Sequence, residues 1–216
     1  MIERVRQTLG DLPYMRFEQA EVLSRFLHEH KLRNCLELGF FHGVSSAYIA
    51  ETLREMGGGH LTTIDLEWTR SKSPNIDAVL AQLDLTEYVT VYYEPRSYTW
   101  RMMKMIEAGQ NESFDFCYID GGHLWDVSGF GFFLVEKLVK PGGWVLFDDL
   151  DWRVKPYYDR LVAEGKEPEP WMQALTAEER ETKQVRKIWE LLVKQHPRFA
   201  NFGETEFSWG FTQKVR

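Results

Sequence analysis

The chain has 216 residues, 44% of them hydrophobic and 27% charged, which is enough to build a sizeable buried core. The formal net charge is −7 and Lys and Arg form no dense block anywhere, which argues against a nucleic-acid partner. No apolar run approaches the roughly 18–20 residues that span a bilayer, and the opening MIERVRQTLGDLPYMRF lacks the apolar core of a secretory leader. The expectation is a cytoplasmic protein with no membrane partner, and its two cysteines, Cys35 and Cys117, both in predicted strands, read as reduced thiols.

In chain order, residues 1–33 make an N-terminal helical segment. Within it, 17–30 carries Phe17, Ala20, Leu23 and Leu27 at the three-to-four-residue spacing of an amphipathic helix. NCLELG (34–39) is a short strand ending on glycine. Residues 44–56 form a helix stopped by Gly57-Gly58-Gly59, and HLTTID (60–65) is a strand. A helix over 75–83 opens after Ser73-Pro74, and VTVYY (89–93) is a strand by its β-branched and aromatic content. Residues 98–109 are helical, 114–120 a strand, 127–139 a helix and 143–149 a strand. A long helix over 176–196 starts on the capping box Thr176–Glu179, and 199–215 reads as a hairpin turned near Gly203.

Five β-α units in succession, with short and nearly all-apolar strands, define an α/β fold. It is a Rossmann-like, doubly wound sheet, mostly parallel, with helices on both faces and a C-terminal antiparallel hairpin. No repeat or Pro/Gly/Ser-rich linker divides the chain, so residues 1–216 read as one domain.

In such a sheet ligands bind at the carboxyl ends of the strands. Acids recur there: Glu37, Asp65, Glu94, Asp120, and Asp148 with Asp149. In LELGFFHGVSS, Gly39 and Gly43 allow a sharp turn and a close ligand approach, although neither a GxGxxG fingerprint nor a P-loop is present. Asp65 follows the second strand, where an acid can accept hydrogen bonds from ribose hydroxyls; Glu67 is the less favoured candidate.

Acid-x-Gly-x-x-x-Gly followed by an acid after the second strand resembles the class I S-adenosylmethionine-dependent methyltransferases. FDFCYIDGGH, LVKPGGWVLFDDLDW and SWGFTQK extend the resemblance to a DGxH subgroup that includes metal-dependent macrolide sugar O-methyltransferases. The resemblance implies that the loop from Glu37 through Gly39 to Gly43 holds the methionine end of S-adenosylmethionine and that Asp65 holds its ribose. It puts residues 94–97 beside the adenine. Of these only Ser97 matches the family, because Pro95-Arg96 stands where a Gly-Asp is common. Asp120 is counted with the cofactor residues as well. The resemblance also implies metal ligands at Asp120, Asp148 and Asp149 and a general base at His123.

Elementary chemistry agrees with that corner. Three aspartates at neighbouring strand ends suit Mg²⁺ or another hard divalent cation, which would relieve their mutual repulsion. Coordination lowers the pKa of an acceptor hydroxyl, and an adjacent imidazole removes its proton. Other readings remain open at this stage: Asp120 as the cap of the helix near Leu124, Asp148 and Asp149 as solvated loop acids, and His123 as a surface histidine. Trp152, Tyr157, Tyr158 and Trp171 in 150–175 suggest a substrate lid over a small hydroxylated acceptor, such as the sugar of a secondary metabolite. The rivals are a metal-independent N- or O-methyltransferase and a cofactor-binding protein of this fold without transfer activity. A homo-oligomer is left open.

Overall fold

The computed structural model describes residues 2–10 and 12–216. Seven strands form one sheet in the order β3-β2-β1-β4-β5-β7-β6. β1 (Asn34–Leu38), β2 (His60–Leu66), β3 (Val89–Glu94), β4 (Phe114–Ile119) and β5 (Val139–Phe147) are parallel. β7 (Gly210–Lys214) runs antiparallel between β5 and β6 (Phe199–Glu204). The strand order reverses between β1 and β4, so the β1 and β4 tops adjoin a crevice in which a ligand can sit.

Alternating side chains feed two cores, as the two-residue period of a strand requires. Cys35, Phe116, Tyr118 and Leu146 face α1 (Glu3–Leu9), α2 (Phe17–His30), α3 (Val44–Glu55) and α4 (Ile76–Gln82). Leu36, Cys117, Ile119 and Phe147 face α5 (Tyr98–Glu107), α6 (Trp125–Leu138) and α10 (Gln184–Ile188). Both cysteines are buried, free thiols. Among the described residues no helix is long and apolar enough to cross a membrane.

Four local expectations change. α4 is opened by Asn75, whose side chain accepts from the Ala78 N–H at 3.0 Å, one residue later than the Ser73-Pro74 signal suggested. α6 begins at Trp125 with Leu124 as an uncapped N-terminus, so Asp120 does not cap it.

The predicted 176–196 helix is broken. Beyond α7 (Val154–Ala163) and α8 (Pro170–Ala174), the Thr176–Glu179 capping box is present and starts α9 (Ala177–Glu181). Thr182 then turns extended, its hydroxyl bonding back to the Glu178 carbonyl at 2.8 Å. α10 restarts at Gln184 and runs into a π-turn, Trp189–Val193, which buries Trp189 and sets its Nε1 2.8 Å from Glu204. Finally, Gly203 lies within β6, beyond a register shift after Ala200. The hairpin turns instead at Thr205–Trp209, closed by Thr205 N–H to Trp209 O at 3.0 Å.

Candidate active site

The first two strand tops are stitched together by backbone. β1 ends at Leu38, and Gly39 leaves it with φ +95. A Cβ on Gly39 would lie 2.6 Å from the Asp120 carbonyl oxygen, so the β1 turn and the β4 top touch main chain to main chain. Gly43 opens α3 in the left-handed region, and a Cβ there would strike Ile76 at 2.5 Å.

Glu37 is fully buried beneath this turn. Its Oε2 accepts from the Ser46 hydroxyl and, at 2.6 Å, from Thr63, while Oε1 is buried without a partner. Burial pushes its pKa up to about 7, against the lowering effect of the surrounding serine and threonine hydroxyls. Asp65 is committed to the loop itself. Its Oδ2 accepts from the Phe40 and Phe41 N–H groups at 2.8 Å each, and its Oδ1 from Leu66 N–H at 2.6 Å. Ser97 caps α5, accepting from Thr99 N–H at 3.2 Å.

The second pair of tops carries the Asp-Gly-Gly-His corner. Asp120 N–H bonds Leu38 O at 2.9 Å and Asp148 N–H bonds Ile119 O at 3.0 Å, which aligns the ends of β1, β4 and β5. His123 (φ 46) and Asp149 (φ 56) both sit in the left-handed region, an unfavourable conformation outside glycine, and both point into one spot. One ligand atom each from Asp120, His123 and Asp149 lies within 4.8 Å of the others. His123 Nε2 is 3.2 Å from Asp149 Oδ2 and 3.8 Å from Asp120 Oδ1, yet it is buried without a well-aligned hydrogen bond.

Burial disfavours the His123 cation, but the Asp120 and Asp149 carboxylates outweigh it and push its pKa up to about 10. Burial and the neighbouring Asp148 raise Asp120 well above the usual carboxylate range, against the pull of His123. Asp148 stands apart from this trio. It is buried, its Oδ2 accepts from the Tyr118 hydroxyl, and its Oδ1 accepts from Asp149 N–H at 2.6 Å. Burial first, then Asp149, lifts Asp148 to about 6. The carboxylate oxygens of Asp120 and Asp149 converge on one spot beside a buried ring nitrogen left without a partner, and these acids fit a hard divalent cation.

The structure therefore brings Glu37, Gly39, Asp65, Asp120, His123, Asp148 and Asp149 to the ends of four adjacent strands. Ser97 stays at the β3 end, its hydroxyl occupied as a cap. Of the four aromatics in 150–175, Trp152 lies against His123, ring centres 5.1 Å apart. Tyr157 and Tyr158 lie under Arg160 and Arg180. Asp151 is drawn into an ion network with Arg186 and Lys183, which hold its carboxyl far below the usual range. Sequence reasoning missed Tyr98 and Ser128, whose hydroxyls both donate to Gly121 O at 3.2 Å and pin the corner. It also missed Tyr118, whose one signal was its position two residues before Asp120, on the same side of β4.

Over residues 36–150, more than half of the chain, the sequence matches the family model described as "Methyltransferase domain". The chain belongs to this methyltransferase family. A search of curated proteins returns no match. The fold is similar to the O-methyltransferase TomG from Streptomyces achromogenes, involved in tomaymycin synthesis and solved with SAM (TM-score 0.67, 20% identity, 100% of this chain and 89% of that one). It is also similar to an O-methyltransferase from Bacillus cereus solved with SAH (0.66, 20%, 100% and 90%). A third similar structure is SAH-bound Podospora anserina methyltransferase PaMTH1 (0.66, 15%, 100% and 87%).

Proposed function

We propose that this methyltransferase moves the methyl group of S-adenosylmethionine onto a hydroxyl of a small molecule, such as a sugar or other secondary metabolite, with a divalent cation at the Asp120 corner. The observation that carries the reading is the convergence of Asp120, His123 and Asp149 beside the β1 turn, under which Glu37 keeps one carboxylate oxygen unpartnered. The SAM- and SAH-bound O-methyltransferases of similar fold support the cofactor and the acceptor atom.

S-adenosylmethionine supplies an electrophilic sulfonium methyl, and a divalent cation lowers the pKa of a hydroxyl bound to it. Glu37 Oε1 is placed to accept from an ammonium group, and Gly39 and Gly43 let main chain approach the ligand. Asp65 holds the loop in shape through Phe40 and Phe41 and, on this reading, keeps remaining lone pairs for the ribose. Ser97 borders the adenine end. Asp120, Asp148 and Asp149 hold the ion, with Asp120 also bordering the cofactor. A dication there would engage the carboxylates that stabilise the imidazolium, and His123 would serve as the base that takes the acceptor's proton. Residues 150–175, led by Trp152, cover the acceptor, consistent with its contact to His123.

One observation favours a metal-independent transferase instead: His123 Nε2 lies 3.2 Å from Asp149 and 3.8 Å from Asp120, where a proton on it offsets their charge. Methyl transfer from labelled cofactor to a panel of sugars, phenols and amines, with and without EDTA, separates the two. Hydroxyl methylation lost in EDTA and restored by Mg²⁺ or Mn²⁺ supports the first reading. Transfer indifferent to EDTA supports the second, and no transfer to any acceptor points to a cofactor-binding protein.

A further inference from the structure

The C-terminal SWGF segment lies outside the parallel sheet that carries the proposed chemistry, yet it reaches the corner. The β6–β7 turn is tied to the end of β5 on both sides: Leu150 N–H bonds Ser208 O at 2.9 Å and the Ser208 hydroxyl bonds Asp151 at 3.0 Å. Gly210 permits this approach, since a Cβ there would lie 3.1 Å from both Leu150 and Trp189. The result is to bury Trp209 completely beside Tyr118, with ring centres 6.2 Å apart and nearly perpendicular.

Tyr118 reaches Asp148 directly, and Trp209 packs against Tyr118. The Tyr118 hydroxyl donates to Oδ2 and the Asp149 N–H donates to Oδ1, while the Trp209 indole N–H, buried beside the Tyr118 ring, has no hydrogen-bond partner among the described residues. A buried indole N–H without an acceptor is costly, and the acid whose charged form it favours is Asp148.

We propose that Tyr118 and Trp209 are positioning residues which orient the Asp148 carboxylate, and through it the left-handed backbone of Asp149, so that the corner binds its divalent cation tightly. The inference rests on the metal reading given above. Each Asp148 oxygen accepts one hydrogen bond in the structure and keeps a further lone pair, so the donors fix its direction without exhausting it. Outer donors of this kind typically change cation affinity by about 10–100-fold. Tyr118→Phe removes a single donor atom and leaves the ring's apolar packing in place, whereas Trp209→Phe also removes buried ring volume, which the thermal midpoint reads separately.

The test is Mn²⁺ and Mg²⁺ titration calorimetry on the full chain, with S-adenosylhomocysteine affinity and thermal midpoint measured alongside. Tyr118→Phe and Trp209→Phe should each weaken the cation by about 10-fold or more while leaving S-adenosylhomocysteine affinity unchanged. In an Asp148→Ala background Tyr118→Phe should have no further effect on cation affinity, because its route of action is gone. If the wild type binds neither ion, the metal reading fails and the inference with it. If the wild type binds and both Phe variants match it, the inference is overturned and the metal reading stands. An equal loss with and without Asp148 would assign Tyr118 a structural role and overturn the inference as well.

Discussion

The two halves of the candidate site hold their acids in opposite ways. At the β1 and β2 tops, Asp65 is satisfied by three backbone N–H groups and Glu37 by two hydroxyls, leaving one open oxygen, Oε1 of Glu37. At the β4 and β5 tops, Asp120 and Asp149 face each other across a partly buried, poorly bonded imidazole, and two of the corner's residues occupy left-handed backbone. The first half is shaped before a ligand arrives. The second concentrates charge that only a proton on His123 or a cation offsets. Binding should therefore depend on the first half and chemistry on the second, and each variant below probes that division.

The largest effect should cross it. Gly39→Val puts a side chain 2.6 Å from the Asp120 carbonyl at a φ of +95, so both halves are disturbed together. S-adenosylhomocysteine binding should fall below detection and the thermal midpoint should drop, with a cost of about 3 kcal/mol or more. Normal calorimetric affinity in this variant would separate the two halves and undo the geometry proposed for the turn.

His123→Ala should act on one half alone. The turnover rate should fall by roughly 10²–10⁴-fold, the usual contribution of a general base. S-adenosylhomocysteine affinity should stay within about 2-fold of wild type, a window narrower than the loss of one ordinary hydrogen bond. Single-turnover rates and calorimetry on the same preparation read both, and a matching loss in both measurements would contradict the division.

Glu37→Gln should split stability from binding. Because burial raises the Glu37 pKa from 4.5 to about 7, the folded protein holds a proton that the unfolded chain releases between those values. Stability is then fullest below about pH 4.5 from this group and declines as pH rises through about 7. Glutamine removes that decline. The ligand-free variant should be more stable at pH 8 by up to about 3 kcal/mol, with no gain at pH 4. It should bind S-adenosylhomocysteine more weakly by about 1.5–3 kcal/mol through loss of a charged hydrogen bond. Denaturant melts at the two pH values check the sign.

Ser97→Ala is the smallest expected effect. Its hydroxyl caps α5, so about 1 kcal/mol of stability should be lost in a thermal melt. A loss of cofactor affinity larger than this would show that Ser97 also meets the adenine end.

What the sequence by itself determined follows from short local patterns. The short, nearly all-apolar runs and the three-to-four-residue helical spacing identified the five β-α units and the α/β class. The position of each acid after its strand identified Glu37, Asp65, Asp120, Asp148 and Asp149 as strand-top residues, and glycines marked the turn. Those signals are local, and the parallel sheet follows from them. Tertiary structure decided how the acids are used. Asp65 lies against the Phe40 and Phe41 amides because β2 pairs alongside β1. Asp148 turns toward Tyr118 because β4 and β5 are in register there, and Trp209 packs beside Tyr118 only because β7 docks antiparallel on β5. The break at Thr182, and the hairpin turn that falls beyond Gly203, likewise depend on partners distant in sequence, Asp151 drawing in Lys183, Arg186 and Ser208. A carboxylate's direction is set by whichever donors surround it in space, and no spacing along the chain encodes that.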